Sequence, residues 1–185
     1  MNKTKLLYSR QEMTDECLRI LEKRGVDYLE IAKIAHDQQS KYNDDVSMED
    51  CVDSVLKILS LRDVFHILIL GAEIDRITEE KGFEGPIQEI MAHDLGMFGV
   101  DEVLGLAIAG LFGVIGQTNF GDIDVNKPGI VADLNDHGKG GSYACHTMLD
   151  DIVGAIAAAA STRVAQMAME DVAKSDLSIT QEVLF

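Results

Sequence analysis

The sequence is poor in several residue types that would mark other classes of protein. It has no tryptophan and only two prolines among 185 residues, and aromatic residues make up 5% of the chain. The three cysteines, Cys17, Cys51 and Cys145, are widely spaced, with no C-x-x-C pair, so we expect reduced thiols rather than a disulfide framework or a zinc site. Methionine and alanine supply much of the 46% hydrophobic content, which favours helices over sheets.

Basic residues are also scarce. Lysine and arginine total 16 against 32 acidic residues, giving a formal net charge of −16. Such a charge repels nucleic acid, which we exclude as a partner, and it repels anionic membrane surfaces. A phosphorylated substrate would need a bound cation to screen it. Solubility alone is the simpler explanation of the same charge.

Long hydrophobic segments are missing as well. Residues 1–10 contain no apolar signal core. The longest uncharged run, Val103 to Gly121, contains five glycines and falls short of the roughly 20 apolar residues of a membrane span. We therefore expect one cytoplasmic domain over residues 1–185, with at most peripheral contact with the inner face of a membrane.

Helical spacing of apolar residues dominates the remaining pattern. The sequence predicts an all-α fold, a compact bundle of about seven helices. The predicted segments are about 11–24, 27–42, 48–59, 61–81, 86–95, 103–115 and 147–174. Residues 117–143, rich in Gly, Asn and Asp, are predicted to form a long loop.

Two acidic pairs share one local pattern. Asp101-Glu102 and Asp150-Asp151 lie 49 residues apart, and each is followed by two apolar residues and a glycine. Adjacent carboxylates beside an apolar helix are costly to desolvate unless a cation meets them, and Mg²⁺ prefers carboxylate oxygens. The alternative is that acids simply favour helix N-termini through the macrodipole. Both explanations remain open from the residues alone.

Other polar residues lie near these pairs. Asp94 precedes the first pair and is a candidate ligand or cap, while His146 shares a helix face with Asp150 if the last helix extends that far back. The stretch 118–129 combines hydroxyl, amide, glycine and one lysine, which are groups that phosphate sites use. Asp75 and Glu79 lie one turn apart, and we expect them to stay solvated.

Four segments together resemble the soluble branch of the phosphatidylglycerophosphatase A family. They are Gly116–Gly121 (GQTNFG), Lys127–Ile130 (KPGI), His146–Val153 (HTMLDDIV) and Asp94–Glu102 (DLGMFGVDE). The resemblance covers most of residues 30–168. It implies an all-helical, magnesium-dependent phosphatase that removes the terminal phosphate of phosphatidylglycerophosphate, so that the partner is a phosphorylated small molecule or a lipid head group.

The resemblance also assigns roles to residues. The family's acidic motif matches Asp150 and Asp151, and Asp101 and Glu102 match it equally well. The hypothesis is that these four residues hold one or two Mg²⁺ ions. The remaining candidates bind substrate or carry a proton. Thr118, Asn119, Lys127 and Gly129 would bind the phosphate, Asp94 or His146 would transfer the proton, and Asp150 and Asp151 would act in catalysis.

Two other functions remain as alternatives. One is an all-α, Mg²⁺-dependent nucleotide pyrophosphatase, for which Glu49, Asp50 and Asp53 are the best fragment. The other is a non-catalytic helical oligomer whose glycine- and alanine-rich helices pack subunits together. We expect a homo-oligomer in any case.

Overall fold

A computed structural model of the chain describes residues 8–96, 98–136 and 144–183, with side chains in these ranges up to residue 170. Within this part the chain is helical and contains no strand, so the predicted all-α fold is confirmed. The helices are α1 (Arg10–Lys23), α2 (Tyr28–Gln39), α3 (Met48–Leu59), α4 (Arg62–Glu79), α5 (Pro86–Ala92), α6 (Val100–Ala109), α7 (Gly113–Asn126), α8 (Ile130–Asn135) and α9 (Leu149–Val183). A 3-10 turn, Gly110–Phe112, joins α6 to α7.

The first three helices begin at the capping residues that the sequence provides. Ser9 and Glu12 form a reciprocal capping box at the start of α1. The side chain of Asp27 accepts a hydrogen bond from the first turn of α2, and that of Ser47 does the same for α3. Gly25 follows α1 with a φ of 78°, a conformation that suits glycine after a helix end. Local sequence therefore determines these boundaries.

Helix α9 occupies the centre of the bundle. It packs against α2, α3, α6 and α7, and more lightly against α4 and α8. Ala155 and residues 157–160, all alanines, are completely buried. Small side chains let surrounding helices approach the α9 axis closely, which explains why the most alanine-rich segment lies innermost.

Helices α6 and α7 form a hairpin, which corrects two sequence-based expectations. Residues 117–126 belong to α7 and residues 130–135 to α8, so the predicted long loop is wrong for these residues, and its part 137–143 lies outside the described residues. The predicted helix 103–115 instead begins at Val100 and is broken at Gly113, whose φ is 73°. Packing of α7 against α6 and α9 outweighs the low helix propensity of its glycines.

Two helical segments are long and apolar enough to cross a membrane, judged by length and composition only. They are Val100–Asn126, which the turn at Gly110–Phe112 divides into α6 and α7 and whose most apolar window is 28% buried, and Leu149–Glu170, whose window is 67% buried. The sequence-based expectation that no segment of this length and hydrophobicity occurs is corrected to that extent. The finding is weak evidence for a membrane, because the buried core helix of a globular protein passes the same test.

Candidate functional site

The two acidic pairs lie side by side in the fold. Asp101 and Glu102 occupy the first turn of α6, and Asp150 and Asp151 occupy the first turn of α9. One carboxylate oxygen from each of Asp101, Glu102 and Asp151 lies within 4.8 Å of the other two. Acids favour helix N-termini through the macrodipole, but here two such N-termini face one another, which brings like charges together.

The glycine of each acidic motif explains how the helices come so close. A Cβ atom at Gly105 would lie 2.5 Å from Cζ of Phe120, and a Cβ atom at Gly154 would lie 3.2 Å from Cγ2 of Ile123. Phe120 and Ile123 both belong to α7. Both glycines, one turn after the acids, therefore make room for the same helix.

Among the described residues, Lys127 at the end of α7 is the only basic residue that contacts this acidic cluster. Lys127 ends α7 in the left-handed conformation, with φ 42° and ψ 59°. Its Nζ atom lies 2.7 Å from Oδ1 of Asp124, 3.1 Å from Oδ2 of Asp150 and 3.3 Å from Oδ1 of Asp151. Asp124 was not among the predicted site residues. Its spacing of three residues before Lys127, on a helix, is the signal that would have indicated it.

These side chains surround a small polar cavity of about 110 Å³. The lining residues are Asp94, Leu95, Gly96, Phe98, Asp101, Glu102, Asp124, Lys127, Asp150 and Asp151. Six carboxyl groups thus face a single ammonium group. Such a cavity is suited to cations rather than to a free anion.

Burial shifts the pKa values of the acids upward. Desolvation, reinforced by the adjacent carboxyl group of Glu102, raises the pKa of Asp101 to about 7. Desolvation and the charge of Asp150 raise the pKa of Asp151 to about 8. Desolvation also raises the pKa of Asp150, although Lys127 opposes the shift. Burial alone would lower the pKa of Lys127, but attraction to Asp150 and its other acidic neighbours outweighs burial and raises it.

The acid cluster fits a divalent metal ion. Oε2 of Glu102 is buried and has no hydrogen-bond partner among the described residues. An unsatisfied buried carboxylate oxygen is unfavourable. Glu102 is one of the three residues whose carboxylate oxygens converge. A hard cation with oxygen ligands would satisfy that atom and offset the repulsion among the acids.

Comparison with known proteins shows the family to which the chain belongs. The model of the family described as "Phosphatidylglycerophosphatase A" matches residues 48–166, which include both acidic pairs, Asp124 and Lys127. The chain belongs to the phosphatidylglycerophosphatase A family. Membership indicates a phosphatidylglycerophosphatase-like activity in membrane lipid metabolism.

Relatives cover most of the chain. The uncharacterized protein YutG of Bacillus subtilis is 43% identical over 148 residues, which span 80% of this chain and 87% of YutG. A solved protein of unknown function from Bacillus stearothermophilus is 43% identical, covers 84% of this chain and 99% of its own, and has a TM-score of 0.79. The low temperature requirement C protein from Listeria monocytogenes is 39% identical, covers 85% and 97% respectively, and has a TM-score of 0.80.

Helix α4 holds the start of α9 in place, which the sequence analysis did not foresee. Asp75 is completely buried and accepts hydrogen bonds from the backbone N–H groups of Met148 at 3.0 Å and Leu149 at 3.1 Å. Glu79 accepts one from the backbone N–H of Cys145 at 2.8 Å. The expectation that both acids stay solvated is therefore wrong, because they cap the segment that leads into the acids of α9.

The two candidate proton carriers lie in different places. Asp94 lines the acidic cavity, in a left-handed conformation with φ 44°. His146 precedes the start of α9, so it does not share a helix face with Asp150, and its Nδ1 lies 3.2 Å from the guanidinium of Arg24. Arg24 also forms a 2.8 Å ion pair with Glu79. Only Asp94 is among the described lining residues of the cavity.

The candidate phosphate-binding residues are also separated. Lys127 lines the acidic cavity, but Thr118 donates its hydroxyl to backbone oxygens within α7, and Asn119 donates to the hydroxyl of Thr162 at 3.0 Å. Gly129, with φ 53°, lies in a neighbouring groove against Ile34 of α2. The family signatures that contain these residues therefore contribute to helix packing as well as to the site.

The fragment considered for a nucleotide pyrophosphatase lies elsewhere. Glu49, Asp50 and Asp53 are exposed on α3, and Asp50 takes part in the Ser47 cap through a 2.6 Å hydrogen bond. None of the three is a described lining residue of the acidic cavity. Their placement does not favour that alternative.

Proposed function

We propose that this protein is a magnesium-dependent phosphatase that hydrolyses phosphatidylglycerophosphate to phosphatidylglycerol and inorganic phosphate. The observation that carries the proposal is the convergence of Asp101, Glu102 and Asp151 beside Lys127 in a member of this family. The chemistry of the site supports a phosphomonoester, because a terminal phosphate is a compact dianion that a cation and a lysine can bind together.

The charge of the cavity makes a cation necessary for this substrate. With all six acids ionised, the lining residues would carry a net charge of −5 including Lys127. A phosphate dianion would be repelled from such a cavity. Asp101, Glu102 and Asp151 would hold the ion, and when bound it would supply positive charge to the phosphate oxygens and acidify a water molecule.

Lys127 has a positioning and a binding role in this proposal. Its ammonium group is held by three carboxylates, so its location is fixed before substrate arrives. A phosphate oxygen that replaces one carboxylate contact would form a charge-assisted hydrogen bond with Nζ. Preorganised positive charge of this kind stabilises the charge of the transition state without further rearrangement.

Proton transfer completes the reaction. A water oxygen forms a bond to phosphorus, the bond from phosphorus to the glycerol oxygen breaks, and the leaving oxygen receives a proton while the attacking water loses one. Asp94 lines the cavity and is our proposed proton carrier, in preference to His146, which is not a described lining residue. In an in-line displacement, the acid that protonates the leaving oxygen lies on the side of phosphorus opposite the attacking water.

The decisive experiment measures phosphate release from phosphatidylglycerophosphate in detergent micelles. Wild-type activity should require Mg²⁺ and be lost in EDTA, and D151N should lose at least about a hundredfold in kcat/KM because a ligand oxygen is replaced by an amide. The matched control D37N, at an exposed site on α2, should leave activity unchanged.

Three results would contradict the proposal. They are full activity of D151N with native helical content, activity that persists in EDTA, and release of pyrophosphate from nucleotides in place of phosphate from the lipid. Manganese binding to wild type but not to D151N, followed by electron paramagnetic resonance, tests the ion site separately from turnover.

A further inference from the structure

Seven of the fourteen large apolar side chains that are exposed among the described residues belong to the α6–α7 hairpin. We call these seven side chains the hairpin face. Its large apolar members are 40% to 81% exposed, namely Val100, Val103, Leu106, Leu111, Val114, Ile115 and Val125. Exposed apolar side chains concentrated on one hairpin are typical of an interaction site.

The spacing on α6 is that of a helix–helix seam. Exposed or half-buried residues recur at intervals of three, four and three, at Val100, Val103, Ala107 and Gly110. This is the alternating three–four pattern of a and d positions in a heptad, which keeps one face toward a partner helix. Val103 is 60% exposed, so the described fold leaves most of this side chain uncovered.

Helix α7 carries a matching seam. Its exposed residues Val114, Thr118, Gly121 and Val125 follow intervals of four, three and four. A Cβ atom at Gly121 would meet no atom within 4 Å, so packing within the chain does not require glycine there. Small residues at such a seam let a further helix approach closely.

Charge favours a second copy of the chain as the occupant. The chain carries a net charge of −16, so two copies repel one another wherever acids face each other. Residues 103–121 contain no charged side chain, and they form most of the hairpin face. Like-charge repulsion in a symmetric contact is therefore smallest at this surface.

The same charges argue against an anionic bilayer as the occupant. There is no lysine or arginine between Lys81 and Lys127, so the hairpin face has no basic rim to attract anionic head groups. A two-fold contact between identical uncharged seams needs no such rim, because each seam packs against its own copy.

We propose that two copies of this chain pair through the hairpin face, so that the two α6–α7 hairpins form a four-helix bundle across a two-fold axis. The pairing is independent of the proposed phosphatase activity. It would also brace the site, because α6 carries Asp101 and Glu102, and α7 carries Asp124 and Lys127.

Sedimentation equilibrium at about 50 μM protein, well above the dissociation constants of typical specific interfaces, tests the proposal. Wild type should have twice the chain mass of 20.2 kDa, and V114E should have the mass of one chain. Val114 is 73% exposed, so the charge should leave the single chain folded. By symmetry it would enter the contact twice, raising the dissociation constant above this protein concentration.

Two further variants keep the result interpretable. V103E places the charge on α6 and should act as V114E does, whereas L29E, at a 47% exposed site on α2, should remain a dimer. A monomeric wild type, or any assembly whose mass V114E and V103E leave unchanged, would overturn the proposal. So would a monomeric wild type that floats with phosphatidylglycerol vesicles through Val114, since a bilayer would then cover the face.

Discussion

At the scale of single residues, Asp75 sets the position of the acidic site without lining it. Both of its carboxylate oxygens accept backbone N–H groups from Met148 and Leu149, immediately before Asp150. Desolvation raises the pKa of Asp75 to about 7, and these two hydrogen bonds oppose the shift. Asp75 therefore acts as a helix cap supplied by a different helix.

Replacing Asp75 with Asn should loosen the start of α9. Asn keeps one acceptor but directs an NH₂ group at a backbone N–H, leaving buried donors unsatisfied at a cost of about 1–3 kcal/mol. We expect a lower free energy of unfolding in urea and weaker Mn²⁺ binding. E73Q, on the exposed face of the same helix, is the control. Unchanged stability and Mn²⁺ affinity in D75N would show that the cap does not position Asp150.

At the scale of helices, the geometry of the site depends on how closely α7 approaches its neighbours. Gly105 on α6 and Gly154 on α9 both lie against α7, through Phe120 and Ile123. The glycine that ends each acidic motif is thus a packing residue. It makes the space that allows α7 to deliver Lys127 to the acids at its C-terminal end.

The variant G105A tests this packing. Its new methyl group would overlap the ring of Phe120, and overpacking of this kind costs typically about 1–3 kcal/mol. We expect lower stability and weaker Mn²⁺ binding, because α6 must move away from α7. In the F120L background, where the ring is absent, G105A should reduce stability and Mn²⁺ binding less than it does in wild type. Urea unfolding of the four proteins then gives a favourable coupling energy between the two substitutions. If the effects of G105A and F120L on stability were additive, a direct contact between residue 105 and the ring of Phe120 would be excluded.

At the scale of the whole molecule, buried acids make stability depend on pH. The pKa values of Asp75 and Asp101 are raised to about 7 and that of Asp151 to about 8, in each case chiefly by desolvation. The folded state therefore binds these protons more tightly than the unfolded state does. The stabilisation from each group is present at low pH and is lost as the pH rises through the folded-state pKa.

The metal-free protein should accordingly become less stable as the pH rises from about 5 to about 8, by about 1 kcal/mol or more. Urea unfolding in EDTA measures this. Adding Mg²⁺ at the upper end of the range should restore stability, because the ion binds the ionised acids of the folded state only. In D151N both the pH slope and the Mg²⁺ effect should shrink. A pH-independent stability would contradict the assigned burial of these acids.

Local signals predicted much of the fold. The segments predicted at about 11–24, 27–42 and 48–59 agree with α1, α2 and α3, because the caps at Ser9, Asp27 and Ser47 act within a few residues of each helix start. The same reasoning failed for α7. Its glycines and Asn119 favour a loop locally, and only contacts with α6 and α9 make the helix stable.

The same difference between local sequence signals and tertiary contacts applies to the candidate site. The duplicated motif identified Asp101 and Glu102, together with Asp150 and Asp151, because both pairs sit in the first turn of a helix. Asp124 was missed, because its role comes from Lys127 turning back toward α9 at the end of α7. Asp75 was misjudged, because burial depends on which helices surround it and not on its own neighbours in sequence.

The sequence by itself determined the helical class, the family, most helix starts and the acidic pairs, since these depend on residue type and short-range spacing. Only the tertiary structure decided that the pairs face one another, that Lys127 lies between three acids and that the hairpin face is left uncovered. Those features depend on contacts between residues far apart in the chain, which α9 brings together by packing against both α6 and α7.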